Sequence, residues 1–244
     1  MRRVFPAPAI VVVFIAVLVA ASDVLGADAA EAEPRMQDFS WMTIEQWKAK
    51  HLEDMAVAKA GDVDLLFVGD SITDGWDAQA MWKERIAPLR AANFGVGGDT
   101  TQNVLWRLEN GAVGNLRPKA VVLLIGTHNF GRNGDSPADV VRGIGAIAGK
   151  LGEAFPSARI LVLGIFPRDA SPNAVIRQQV REVNLGLKPL DDGVRVFVRD
   201  IGSIFLEADG TISTEIMPDL LHLSPEGYRR WGLAMLPMIL PWLE

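Results

Sequence analysis

The chain lacks cysteine, which excludes disulfide bonds, thiolate nucleophiles and zinc sites built on cysteine. It has no long run of Lys and Arg, and its formal net charge is −6, so the basic footprint of a nucleic-acid-binding protein is absent. It also has no internal repeat, no low-complexity tract and no P-loop pattern. What remains is a globular composition, with 49% apolar residues, and 244 residues suit one domain with a substantial core.

The N-terminus has the order of residues typical of a secretory signal. Arg2 and Arg3 precede an apolar run from Ala7 to Ala21, and small residues follow it. An uncleaved membrane anchor is the alternative, but the run of about 15 residues is shorter than the ~20 needed to span a bilayer. We therefore expect a signal peptide over residues 1–29, a flexible leader over 30–42 and a single domain over 43–244, in a secreted or periplasmic protein without a stable membrane span after processing.

Strand and helix signals alternate along the rest of the chain, which predicts a three-layer α/β fold with a parallel sheet. The predicted strands are short apolar runs over residues 63–68, 91–94, 120–125, 160–165 and 194–198. The predicted helices cover residues 43–60, 77–87, 100–110, 137–154, 173–188 and 224–240, the last with a break or kink near Pro237.

Ser71 directly follows the first predicted strand, and ligand sites in open α/β sheets lie at the carboxyl ends of the strands. A serine hydroxyl becomes a strong nucleophile only where a base removes its proton. His222 is one of three histidines, and Asp219, three residues earlier, can orient its ring. From these residues alone, Ser71 is either a nucleophile or a helix cap, and the Asp219–His222 pair is either catalytic or a local loop interaction.

Acyl transfer also needs hydrogen-bond donors for the developing oxyanion. The backbone amides of Ser71 and Gly98 both fit predicted strand-to-helix turns. The turn that contains Gly98 has a second, weak interpretation as a dinucleotide-binding turn. Thr100, however, stands where the Gly-x-Gly-x-x-Gly pattern requires its third glycine.

Other polar and aromatic residues have more ordinary interpretations. We expect Asp70 to hydrogen-bond its own loop, His51 to lie on a helix surface, and Arg168 to brace the site through a salt bridge rather than touch substrate. Three tryptophans are expected in the core, with a sugar-binding cleft as the alternative: Trp76, Trp82 and Trp106.

Four blocks of residues together resemble the GDSL, or SGNH, hydrolase superfamily, and within it the catalytic subunits of intracellular platelet-activating-factor acetylhydrolase. They are Gly69-Asp70-Ser71-Ile72, the run from Asn93 to Gly111, Gly126-Thr127-x-Asn129 with Leu163-Gly164-x-x-Pro167-Arg168, and Asp219-Leu220-Leu221-His222-Leu223. The resemblance covers about residues 63–240. It implies a flavodoxin-like fold with five parallel strands and hydrolysis of esters through an acyl-enzyme, without a metal or other cofactor.

The resemblance also assigns roles to residues. It makes Ser71 the nucleophile, His222 the base and Asp219 the group that orients the base, and it gives the Ser71 and Gly98 amides to the oxyanion hole. Three further positions match residues that crowd the acyl group, which implies a short acyl group, acetyl first of all: Ile72, Thr127 and Leu221.

One position departs from the family pattern. The family usually has an asparagine where this chain has His128, and the amide of that asparagine is the third oxyanion donor. Either His128 donates through a ring N–H, or Asn129 takes the role after a backbone shift, or the third donor is lost. We favour His128.

The sequence thus favours a serine esterase acting on a small acylated sugar, glycan or lipid, with no cofactor and no nucleic-acid partner. The alternative is a catalytically weak protein of the same fold that binds carbohydrate. A metal site built from Asp219, His222 and His128 is a third interpretation, but it lacks recognisable ligand spacing. The resembling subunits dimerise, so the resemblance leaves a homodimer open.

Overall fold

The computed structural model describes residues 28–244, so the predicted signal peptide falls outside the described residues except for its last two positions. Its centre is a parallel sheet of five strands in the order β2-β1-β3-β4-β5, which is the flavodoxin-like order. The strands are β1 Leu65–Gly69, β2 Ala91–Gly95, β3 Ala120–Leu124, β4 Arg159–Leu163 and β5 Val196–Arg199. The predicted fold class and the five predicted strands are confirmed.

Helices cover both faces of the sheet, as the continuous apolar strands require. The helices are α1 Ile44–Ala60, α2 Ser71–Asp74, α3 Thr101–Arg107, α4 Thr127–Arg132, α5 Pro137–Ala154, α6 Val175–Gly186 and α7 Pro225–Leu243. Leu66 and Val68 of β1 face the core shared with α3, α5 and α6. Leu65 and Phe67 face the opposite core, which contains residues of α7.

Several helix starts follow local capping rules. The Ser136 side chain caps α5 and the Ser224 side chain caps α7, with a proline at the first helical position in both. The predicted break near Pro237 is not present, because α7 continues to Leu243. The chain around 77–87 is also not a regular α-helix. It forms a short 3₁₀ turn at Gly75–Ala78, a π turn at Trp82–Ile86 and a 3₁₀ turn at Ala87–Leu89, which contains Pro88.

Residues 28–42, here called the N-terminal segment, pack along the domain, although the sequence predicts a flexible leader over 30–42. Arg35 in this segment is buried and donates to the carbonyl of Gly97 at 2.6 Å and to Asp99 at 3.1 Å. The backbone N–H of Glu33 donates to the carbonyl of Gln102, which ties the segment to α3. A buried guanidinium needs a carboxylate partner, and this long-range pairing is invisible in the local composition.

Among residues 28–244, no helix is long and apolar enough to cross a membrane.

Candidate active site

The carboxyl ends of three neighbouring strands, β2, β1 and β3, lie side by side. The parallel register pairs Gly69 of β1 with Gly95 of β2 and with Leu124 of β3. Ser71, Gly98 and Thr127 each follow one of these strands within a few residues, so the fold gathers them at one edge. This edge is where ligand sites of such sheets occur.

Ser71 is the first residue of α2, immediately after β1. Asp70 caps this helix through a 2.9 Å hydrogen bond from the Ile72 N–H to its carboxylate. Asp70 is fully buried, and this burial raises the pKa of its carboxyl to about 7. Its contact with its own loop agrees with the prediction for this residue.

The side chains of Ser71, His222 and Asp219 form a continuous hydrogen-bonded row. The Ser71 hydroxyl lies 2.9 Å from Nε2 of His222, and Nδ1 of His222 lies 2.6 Å from Oδ2 of Asp219. This is the nucleophile–base–orienting-group arrangement that activates a serine.

The loop before α7 fixes the Asp219–His222 pair. The second oxygen of Asp219 accepts hydrogen bonds from the backbone N–H groups of Leu221 at 3.1 Å and His222 at 2.7 Å. Burial alone would raise the pKa of Asp219, but the hydrogen bonds from His222 outweigh it and hold this pKa below its ordinary value. Between them, Leu220 adopts a left-handed backbone with a φ of 61°. Its carbonyl accepts from the N–H of Asp169, and this bond joins the loop to the exit of β4.

Gly98 closes the turn after β2 with a φ of 77°, which a residue with a side chain rarely adopts. An added Cβ would also lie 2.6 Å from Nη2 of Arg132 and 2.6 Å from the indole edge of Trp41. The position therefore requires glycine for two independent reasons.

His128 and Asn129 point in different directions from the start of α4. Asn129 is fully buried, and its amide group donates to Thr101 at 2.8 Å, to Gln102 at 3.1 Å and to Asp135 at 2.8 Å. It is thus committed to α3 and the following loop, and this geometry does not favour the alternative in which it serves the oxyanion hole.

His128 has an imidazole with a free nitrogen. Its Nε2 atom is buried and has no hydrogen-bond partner in the part of the chain that the structure describes. Burial, followed by the positive charges of Arg132 and Arg168, lowers the pKa of His128 to about 3. The ring is therefore neutral at ordinary pH and has one N–H to donate.

The residues expected to crowd the acyl group surround the same edge. Ile72 and Thr127 are buried, and Leu221 is half-buried. Arg168 donates to the carbonyl of Thr127 at 3.2 Å and to its hydroxyl at 3.4 Å. It forms no ion pair within residues 28–244, so it braces Thr127 by hydrogen bonds and not by the expected salt bridge. A neighbouring cavity of about 550 Å³ is lined by Phe130, Arg168, Ile176, Asp219 and Leu221, among others.

A buried ionic network behind the site was not predicted. Arg107 donates to Asp99 at 2.8 Å, to Asp54 at 2.9 Å and to the carbonyl of Phe94 at 3.0 Å. Trp47 donates to the same Asp99 at 2.7 Å. Asp99 directly follows the turn glycine Gly98. An acidic residue at this place in the motif was the one sign in the sequence that could have indicated the network.

Of the remaining predictions on polar and aromatic residues, some agree with the structure and others do not. Trp76 and Trp82 lie in the core, as expected. Trp106 is half-buried and packs against Trp47 and His51. His51 is buried, not on the helix surface, because it packs against both rings and its Nε2 contacts the carbonyl of Asn110. Within the described residues, no group of three or more His, Asp and Glu side chains is arranged to hold a metal ion.

Comparison with known proteins identifies the family of the chain. The model of the GDSL-like lipase/acylhydrolase family matches residues 67–230. The alpha2 subunit of platelet-activating factor acetylhydrolase IB from Rattus norvegicus is 38% identical over 201 residues, covering 82% of this chain and 86% of that protein.

Two solved structures share the fold. A GDSL-like lipase from Bacteroides thetaiotaomicron has a TM-score of 0.66 at 17% identity, covering 79% of this chain and 96% of the other. Axe2, an acetylxylan esterase from Geobacillus stearothermophilus, has a TM-score of 0.60 at 19% identity, covering 74% and 96%. The chain belongs to the GDSL-like lipase/acylhydrolase family and is a carboxylic ester hydrolase.

Proposed function

We propose that this enzyme is a serine esterase that removes acetyl groups through a Ser71–His222–Asp219 triad and an acyl-enzyme. The observation that carries the proposal is the hydrogen-bonded row of 2.9 Å and 2.6 Å that joins these three side chains. Nε2 of His128, which has no hydrogen-bond partner among residues 28–244, supplies a further donor in the tautomer that carries its hydrogen there.

The chemistry follows from this row. Nε2 of His222 takes the proton of Ser71 as the hydroxyl oxygen attacks the ester carbonyl. Asp219 holds the ring in the tautomer that accepts at Nε2 and stabilises the imidazolium. The bond to the alcohol oxygen then breaks, and the alcohol leaves with the proton from His222. Water, deprotonated by His222, attacks the acyl-serine, the acid departs, and Ser71 regains its proton.

The oxyanion is held by the backbone amides of Ser71 and Gly98 and by the ring N–H of His128. Each such donor typically contributes ~2.7–4 kcal/mol to lowering the barrier. His128 suits this role because its pKa of about 3 keeps it neutral, so it does not oppose protonation of His222.

A short acyl group follows from the bulk of Ile72, Thr127 and Leu221. Two of these residues are buried, and Thr127 is additionally braced by Arg168. The names of the relatives point the same way, since one is an acetylhydrolase subunit and a structural neighbour is an acetylxylan esterase.

The test is turnover of a chromogenic acetyl ester by the parent protein and by Ser71→Ala. We expect a loss of several orders of magnitude, and loss of labelling by a fluorophosphonate probe. Ser157→Ala, at an exposed turn before β4, is the matched control and should retain parental turnover. Near-parental activity in Ser71→Ala would rule out the triad, whereas a parent protein that neither labels nor turns over would favour the carbohydrate-binding alternative.

Acyl preference is tested with acetyl, butyryl and octanoyl esters of one alcohol. We expect kcat/KM to fall with chain length, and a preference for octanoyl would contradict the acetyl assignment. Insensitivity of turnover to EDTA is expected from a triad without a metal.

We also infer that the protein is exported, because the N-terminal sequence has the basic, apolar and small-residue regions of a secretory signal. N-terminal sequencing of the protein recovered outside the cytoplasm tests this, and recovery of an uncleaved chain in the cytoplasm would refute it. The homodimer that the resemblance leaves open is tested by sedimentation of the mature protein.

A further inference from the structure

Two side chains from distant parts of the sequence meet above Gly98. Cη2 of Trp41, from the N-terminal segment, and Nη2 of Arg132, from the end of α4, would both lie 2.6 Å from a Cβ added at this glycine. Gly98 is an oxyanion donor in the proposed function, so both side chains border the place where the ester is bound.

Trp41 presents an unusually exposed ring for so large an apolar side chain. It is 54% exposed, and it stacks on Phe39 with 5.4 Å between centroids and 8° between planes. Its backbone is held by a bridge between Phe39 and Met42 and by Asp38, which accepts from the Ile44 N–H at 2.6 Å. A fixed, exposed aromatic face at the rim of an active site is suited to pack against the apolar face of a sugar ring.

No carboxylate within residues 28–244 contacts the guanidinium of Arg132 directly, although the charges of Asp99 and Asp70 act on it from a distance. Its guanidinium is half-buried against Phe39, with 3.8 Å from Cζ to the ring centroid. Within residues 28–244 it makes no hydrogen bond to an acceptor and no ion pair. Arg35 and Arg107, by contrast, both pair with Asp99. The planar, five-donor fork of Arg132 therefore remains available to a carboxylate.

The charge balance of the site supports an anionic ligand. Among the described residues, Arg168 donates only to Thr127, and the positive charges of Arg132 and Arg168 both lower the pKa of His128. Of the nearby acids, Asp219 is held by His222, Asp99 is paired with Arg35 and Arg107, and Asp70 is fully buried. A locally positive cleft in a chain of net charge −6 attracts anions against the overall charge.

We propose that Trp41 and Arg132 bind the alcohol part of the ester and that this alcohol is a sugar carrying a carboxylate, so that the preferred substrate is an acetylated sugar acid. The inference rests on the proposed function for the position of the ester. It goes beyond it by naming the substrate class and by giving the N-terminal segment a part in the site.

The test compares two substrates that differ only in charge, a methyl glucuronoside and a methyl glucoside acetylated at the same hydroxyl. We expect the parent to prefer the acidic ester by about tenfold in kcat/KM, and this ratio to fall about tenfold in Arg132→Gln. Arg132→Lys keeps the charge without the fork and should be intermediate. Arg117→Gln, an equal charge change at an exposed site before β3, should leave the ratio within twofold of the parent.

Trp41→Ala should lower kcat/KM for both sugar esters by about fivefold, mostly through KM, because stacking does not depend on the charge of the ring. An unchanged ratio in Arg132→Gln, in a variant that melts like the parent, would overturn the carboxylate assignment. So would a preference for an equally acetylated sugar phosphate over the sugar acid.

A binding measurement separates this inference from the proposed function. Calorimetry of Ser71→Ala with the acetylated glucuronoside should give a Kd that weakens about tenfold when Arg132→Gln is added. If the parent turns over no ester but this dependence holds, the proposed function fails, and binding of the sugar acid through Arg132 stands. If turnover depends on Ser71 but binding ignores Arg132, the inference alone fails.

Discussion

His128 is a neutral histidine at the carboxyl end of the sheet, and its buried Nε2 has no hydrogen-bond partner among the described residues. An imidazole in this state has one donor and one acceptor, so its N–H can replace the amide of the asparagine that the family usually carries. The geometry of Asn129 is consistent with this, since its own donors already contact α3 and Asp135.

Replacing this one side chain should therefore change kcat and not KM. We expect His128→Ala to lower kcat about 100-fold with KM within threefold, because an oxyanion donor acts mainly in the transition state. His128→Asn should retain most of the activity through its amide. It should also leave the pH profile above pH 5 unchanged, because the pKa of about 3 already keeps the ring uncharged there. Parental kcat in His128→Ala would show that the third donor lies elsewhere.

The motifs around Ser71, Asp219 and His222 left each of them open between a catalytic and a local role, and the resemblance of four ordered blocks to the GDSL superfamily assigned the triad. The structure brings these side chains within hydrogen-bond distance of one another. The sequence was less informative on His128. The protonation of this residue depends on burial and on the charges of Arg132 and Arg168, which only the folded chain brings close to it.

At the scale of elements, the buried network around Arg107 joins the strand ends to the helices around the site. Its guanidinium bonds to Asp99 in the turn after β2, to Asp54 of α1 and to the Phe94 carbonyl of β2. Arg35 of the N-terminal segment meets the same Asp99. The turn that carries Gly98 is thus held by three separate elements.

Removing Arg107 should be costly for stability. We expect Arg107→Gln to lower the free energy of unfolding by about 3–5 kcal/mol, because it leaves buried carboxylates short of a cation. Lys150→Gln breaks an ion pair with Glu109 that is exposed on both sides, and it should cost no more than about 1 kcal/mol. Urea unfolding of both variants makes the comparison, and equal losses would argue against a structural role for the network.

Elements with local signals were the ones that the sequence predicted best. The Ser-Pro pairs before α5 and α7 mark their starts, and the apolar runs mark the strands. Prediction failed where the determinant is distant in sequence. The N-terminal segment is polar, and what holds it is the pairing of Arg35 with Asp99 across 64 residues. The prediction of a helix over 77–87 was wrong. The apolar side chains of Trp82 and Ile86 are buried, but the backbone that carries them is a π turn and not a regular helix.

At the scale of the whole molecule, the fold buries acidic groups that water would stabilise. Asp70 is fully buried, and its neighbour Asp99 adds to the effect of burial, so the pKa of Asp70 rises from 3.8 to about 7. Between these two values, the folded protein holds a proton on Asp70 that the unfolded chain has released. The contribution of Asp70 to stability must then decrease as pH rises through this interval, because at this group the folded state binds more protons than the unfolded state.

We therefore expect Asp70→Asn to flatten the dependence of stability on pH between about 4 and 7. Asparagine keeps an oxygen that accepts the Ile72 N–H and cannot ionise, so the variant loses the contribution of this group, on the order of 4 kcal/mol across the interval. Other shifted carboxyls, such as Asp219, are common to both proteins, and the difference between parent and variant isolates Asp70.

Asp62→Asn, at an exposed turn, is the control and should keep the parental slope. The measurement is urea unfolding at pH 4, 5, 6, 7 and 8. Equal slopes in the parent and Asp70→Asn would mean that Asp70 ionises without penalty in the folded state, and a parent-minus-variant difference that rises with pH would mean that its pKa is lowered by folding.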